Sequence, residues 1–206
     1  MKLKIIYPLI IFIFASVQFN LAQVGLNKTA QSTMNFLLVG TSSRAAALGE
    51  AYTVLGNGSE SMFYNPAGLT NMQKDFDISL NYTGWIADIN YLSGGAAWNA
   101  GLFGVVGINL LVVDYGTING TSLISDDQQA SYPLGYIDNG AVNNVGAYSF
   151  GLSYARGISQ EFSVGATIKL AGQNLGENLY SGGTNENNAS KVVFDAGVKY
   201  QTDFND

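Results

Sequence analysis

Apolar residues alternate one-for-one with small or polar residues over long stretches, and this alternation limits the fold more than any other feature of the chain. Phe76, Ile78, Leu80 and Tyr82 interleave with Asp77, Ser79, Asn81 and Thr83. Tyr148, Phe150, Leu152 and Tyr154 interleave with Ser149, Gly151, Ser153 and Ala155. Phe162, Val164, Ala166, Ile168 and Leu170 oppose Ser163, Gly165, Thr167, Lys169 and Ala171, and Val192, Phe194, Ala196, Val198 and Tyr200 oppose Lys191, Val193, Asp195, Gly197 and Lys199. A period of two places successive side chains on opposite faces of a strand. The chain is therefore expected to be all-β. Ile89 to Asn99 and Leu102 to Asp114 read as two more strands whose alternation is too weak to assign faces. That makes six, with at most one or two others from Glu50 to Leu55 and beyond Tyr200.

Soluble sandwiches alternate too, so three further features separate a sandwich from a membrane barrel. The strands are about twice the five or six residues usual in globular sheets and match what a tilted strand needs to cross a bilayer. Aromatic residues fall near strand ends, at Tyr82, Trp85, Trp98, Tyr115, Tyr148, Tyr154, Phe162 and Tyr200, where interfacial belts place them. Connections alternate in length: Asn99 to Gly101 and Gly157 to Glu161 are short, while Tyr115 to Ala147 and Gly172 to Ser190 are long. The fold expected is a transmembrane antiparallel outer-membrane β-barrel with the short turns periplasmic.

Composition agrees and removes most chemistry. Charged residues are 12% of the chain against about 25% in ordinary soluble domains, while 47% are hydrophobic. With no cysteine and no histidine, disulfides, thiolate nucleophiles, Cys/His zinc sites and Ser-His-Asp triads are all excluded. No enzyme and no cofactor are expected. Fifteen acidic residues against nine basic ones give a net charge of -6, which excludes a nucleic-acid partner. Asp126-Asp127 lacks the ligand spacing of a calcium loop, so no metal is assigned, and Gly56-Asn57-Gly58 reads as a turn rather than a nucleotide loop.

Three regions follow. Residues 1–22 read as a signal peptide, with Lys2 and Lys4 before an apolar stretch from Ile5 to Val17 that is shorter than the roughly 20 residues of a spanning helix. Residues 23–75 form a non-barrel, plug- or hatch-like segment. Residues 76–206 carry about six barrel strands; since single-chain bacterial barrels have at least eight and an open edge is unpaired in lipid, they are expected to be the N-terminal part of a larger barrel.

The most specific stretch runs Ser43-Arg44-Ala45-Ala46-Ala47-Leu48-Gly49, then Asn65-Pro66-Ala67-Gly68-Leu69 just before the first strand. By its chemistry alone the second part is a stiff turn: Asn65 caps the backbone, Pro66 fixes φ, and Gly68 permits a positive φ. Arg44 is costly against lipid and is expected at the lumen or rim, paired with Glu50 or Glu60. The motif Arg44, Gly49, Asn65, Pro66, Ala67, Gly68 and Leu69 resembles the N-terminal signature of the PorV/PorQ family and, more distantly, that of FadL-type transporters. Tyr148 to Leu170 and Phe194-Asp195-Ala196-Gly197-Val198 resemble that family's following hairpin and strand. Glu50 departs from the family pattern, which favours a small residue there, as does Asn57-Gly58-Ser59-Glu60, where an acidic pair is usual.

The resemblance implies a bacterial outer-membrane protein, surrounded by outer-membrane lipid, that works with type IX secretion subunits or secreted cargo without catalysis. The alternative it implies is a FadL-like channel for hydrophobic small molecules, with the residues before Asp75 as a luminal hatch. The aromatic loop Tyr132, Pro133, Leu134 and Tyr136 is read either as packing on itself or as a site that meets a partner or ligand. Val164 and Ala166 are expected on the lipid face and Gly165 and Thr167 in a wet lumen, where polar replacements are mild.

Overall fold

A computed structural model describes residues 34–202 apart from 126, 128–130, 143 and 177–186. The leader 1–22, the start of the plug segment and Asp126 lie outside the described residues. Among the described residues there are eight strands: β1 (Phe76–Gly84), β2 (Asn90–Asn99), β3 (Val105–Asp114), β4 (Asn119–Leu123), β5 (Tyr136–Ala141), β6 (Val145–Gly157), β7 (Phe162–Leu175) and β8 (Asn188–Tyr200). Six of them form one antiparallel sheet in the order β1-β2-β3-β6-β7-β8, and β4 pairs with β5 as a separate hairpin. The large sheet is not closed, leaving β1 and β8 as its edges.

The register keeps every alternating set on one face. Ile108 faces Leu152, Leu152 faces Ile168 and Ile168 faces Phe194 across successive strands. The weak alternation of the second and third strands resolves in the same way: Tyr91, Ser93, Gly95 and Ala97 share the inner face with Asn109, Leu111 and Val113, and Leu92, Trp98, Ile108 and Leu110 lie outside.

Several expected boundaries move. Glu50 to Leu55 is a turn rather than a strand. Leu102 and Phe103 sit in a 3-10 turn, and β3 starts after Gly104, whose φ of 96° breaks the extended backbone. Gly172 to Leu175 continues β7 instead of opening the loop. Here ladder pairing of Gly172, Gln173 and Asn174 with Ser190, Ala189 and Asn188 overrides the turn preference of Gly and Asn.

Residues 34–75 form a layer over the inner face, made of the short helix α1 (Ser43–Ala47) and 3-10 turns at Asn35–Leu38, Gly58–Phe63 and Pro66–Asn71. Ser42 caps α1 by accepting from Ala45 N–H. The core lies between this layer and the sheet, in two apolar clusters. One gathers Met34, Phe36, Tyr91, Leu111, Val113 and Ala147; the other, towards the end with the short turns, gathers Met62, Leu69, Ala97, Val105 and Ala155.

Candidate functional site

The two faces of the sheet invert the usual arrangement of a soluble protein. The outer face is almost wholly apolar and uncovered: Ile78, Leu80, Phe150, Leu152, Ile168, Phe194 and Val198 are all exposed, Ile78 at 80%. Aromatic residues mark both ends of it. Phe76 stacks on Trp98 with ring centroids 6.2 Å apart. Tyr154 donates to the Phe103 carbonyl at 2.7 Å and Tyr200 to Glu161 at 3.0 Å, so both hydroxyls turn towards the short connections. At the opposite end Tyr82 donates to Asn90 at 2.8 Å.

The inner face is polar and covered. Its middle carries Ser93, Asn109, Ser149, Ser153 and Thr167, each at most 2% exposed. Asn109 donates to Ser153 at 3.4 Å, the Ser153 and Thr167 hydroxyls lie 2.7 Å apart, and Lys169 pairs with Asp195 at 2.6 Å. A buried charge needs such a partner.

The predicted motif Asn65-Pro66-Ala67-Gly68-Leu69 is buried at this interface. Asn65 accepts from Ala67 N–H at 3.1 Å, as expected of a cap, and its amide also donates to the Thr53 and Val198 carbonyls, both at 3.1 Å. One side chain thus starts a turn and fastens it to the edge strand β8. The turn rests on Gly165 and Gly197, which face each other across β7 and β8: a Cβ on Gly165 would lie 2.5 Å from Ala67 N, and one on Gly197 would strike the Asn65 side chain. Gly165 is therefore not in a wet lumen. Gly68 is not at positive φ either; its need for glycine is closeness, because a Cβ there would sit 2.6 Å from the Gly56 carbonyl. The positive φ of the motif belongs to Gly49, at 64°.

Other ties run across the layer. Ser59 donates through its backbone N–H to Asp77 at 2.6 Å, with its hydroxyl 2.7 Å from the same oxygen, and Ser163 donates to the Ala67 carbonyl at 3.3 Å. Met62 enters space left by Gly95 and Gly107. Arg44 departs from expectation: it makes no ion pair with Glu50 or Glu60, and instead lies over the Tyr52 ring, 5.8 Å from its centroid. Tyr52 in turn donates to Glu60 at 2.8 Å. The fully buried Tyr52 hydroxyl is pushed up to about 12, first by desolvation and then by the Glu60 carboxylate that accepts its proton. Burial also raises the Tyr64 hydroxyl, although the Ser42 N–H that it accepts opposes the shift.

A cavity of about 300 Å³ separates the layer from the sheet. Asn109, Ser149 and Lys169 line its sheet side, and Val39, Phe63 and Glu50 belong to its opposite wall. Among the described residues no three His, Cys, Asp or Glu side chains gather into a metal site.

The aromatic loop stands apart. Gly135 N–H donates to the Tyr132 carbonyl and Tyr136 opens β5, while Tyr132, Pro133, Leu134 and Tyr136 are all exposed, Leu134 at 77%. The residues that sequence reasoning passed over are the inner-face glycines and the polar groups of the cavity. The glycines carried a signal: Gly95, Gly107, Gly151, Gly165 and Gly197 all fall on the polar parity of their strands, where a strand glycine marks a close approach. Comparison with protein-family models, curated proteins and solved structures finds no match to this chain.

Proposed function

We propose that the chain forms the hatch-bearing part of a non-enzymatic outer-membrane β-barrel protein of the PorV/PorQ type, a partner in type IX protein secretion or in attaching cargo at the cell surface. The observation that carries this reading is the uncovered apolar outer face, flanked by aromatic rings, opposite a polar face sealed by residues 34–75. Water disfavours so broad an apolar surface, whereas lipid requires it and relegates polar groups to the interior. The short connections are then periplasmic, and β4, β5 and the exposed Tyr132 to Tyr136 loop face outward, where a partner can meet them. The signature of Arg44, Gly49 and Asn65 to Leu69 supports the PorV/PorQ type in particular.

The cavity favours a second reading, a FadL-like channel for hydrophobic small molecules. Deletion of the gene separates the two. Secreted cargo retained in the periplasm with long-chain substrate uptake unchanged supports the secretion role. Reconstituted protein that moves fatty acid across liposomes and captures no secreted protein overturns it. Recovery of the protein in the soluble periplasm removes both.

A further inference from the structure

The cavity is more selective than a greasy slot. Ser149 is 2% exposed, lines the cavity, and its hydroxyl has no hydrogen-bond partner. Lys169, also at the wall, has a side chain 12% exposed and uses Asp195 as its partner, so an ammonium with three donors meets one carboxylate there. Gly151 makes this possible: it lies between Asn109 and Lys169 in the register, and a Cβ on it would approach Asn109 Oδ1 to 2.6 Å and Lys169 Cγ to 2.9 Å. The missing side chain lets both polar groups lean across β6. On the opposite wall Glu50, an exposed residue at the cavity's rim, is held at a φ of 65°, a left-handed conformation costly for a glutamate, with its carboxylate over Gly40. Leu37, Val39, Phe63 and Leu111 supply the apolar remainder.

We propose that this cavity binds a small zwitterion of the α-amino acid class with an apolar side chain. Its ammonium faces Glu50, its carboxylate faces Lys169 and Ser149, and its side chain lies on the apolar wall. The volume, room for about ten waters, suits a molecule of that size. A fatty acid fits the site poorly, since it brings no cation to set against Glu50. This inference stands on the cavity and does not depend on the secretion role.

Isothermal titration of the full chain in mild detergent tests it, with L-leucine, N-acetyl-leucine amide and dodecanoate as probes. The expected result is saturable binding of L-leucine, none of the amide that lacks both charges, and none of dodecanoate. Glu50→Gln weakens leucine binding at least tenfold. Glu50→Gly, which suits the backbone at that φ, does the same with the fold intact by circular dichroism, so a loss of binding is not a loss of structure. Unchanged leucine affinity in either Glu50 variant overturns the proposal, as does tighter binding of dodecanoate than of leucine. Absence of heat from leucine at millimolar concentration also overturns it, and leaves the secretion reading standing.

Discussion

Asn65 joins three carbonyl or amide groups that are far apart in the chain, and its removal exposes how much the layer depends on one amide. Asn65→Ala leaves buried partners at Ala67, Thr53 and Val198 unsatisfied, and each such loss costs about 1 to 3 kcal/mol. Urea titration monitored by tryptophan fluorescence is expected to show a lower midpoint. Gly197→Ala is expected to act at the same place by overpacking, at about 1 to 3 kcal/mol, because its Cβ collides with Asn65; Gly49→Ala meets open space and strains only the backbone. Tyr52 adds a pH dependence. Its folded-state pKa of about 12 lies above the ordinary tyrosine value of 10.0, so the unfolded chain releases its proton first. Stability from Tyr52 is fully present below pH 10.0 and is lost as pH rises towards 12. In melting curves across that window Tyr52→Phe is expected to flatten the alkaline decline; an unaltered decline assigns it to other groups.

Among the elements, β7 sets the two faces against each other within one strand. If its outer side meets the bilayer midplane, Val164→Arg or Ala166→Arg costs about 2 to 4 kcal/mol in lipid refolding titrations. The inner side is not the tolerant one. Thr167 is buried against Ser153, so Thr167→Val costs about 1 kcal/mol, and Gly165→Ala drives into Pro66 and Ala67. Refolding in which Val164→Arg is harmless removes lipid from the outer face. The β4–β5 hairpin belongs to the opposite class. Among the described residues it pairs only with itself, and a lone hairpin is marginal in water, so its replacement by a short linker is expected to leave the melting temperature of the large sheet nearly unchanged; under the proposed secretion role it also lowers capture of cargo in pull-downs.

In the molecule as a whole, the N-terminal layer reaches both edges of an open sheet. The Gly58–Phe63 turn holds β1 through Ser59 and Asp77, and the Pro66–Asn71 turn holds β8 through Asn65 and Val198. Such a layer is a structural part of the sheet rather than a stopper resting in it. Deletion of residues 56–71 is therefore expected to lose the folded sheet, read as loss of cooperative melting in far-ultraviolet circular dichroism. A deletion variant that melts like the parent shows the layer to be dispensable.

The alternation of Ile78, Phe150, Ile168 and Phe194 with polar neighbours determined, without any tertiary information, four long strands each with one apolar and one polar face, because period two depends on backbone geometry alone; the faces of the second and third strands were settled only by their register in the sheet. The Asn65 turn was legible for the same reason: a cap and a proline act within a few residues. Tertiary structure alone decided the rest. Whether the polar face meets water or protein depends on where residues 34–75 come to lie, which is why Gly165 lies beneath Pro66. Arg44 settled over Tyr52 although two carboxylates stood near it in the sequence. Lys169, Ser149 and Glu50 became one cavity wall to wall only through strand register and the fold-over of the layer, contacts between residues about a hundred positions apart whose pairing no local preference encodes.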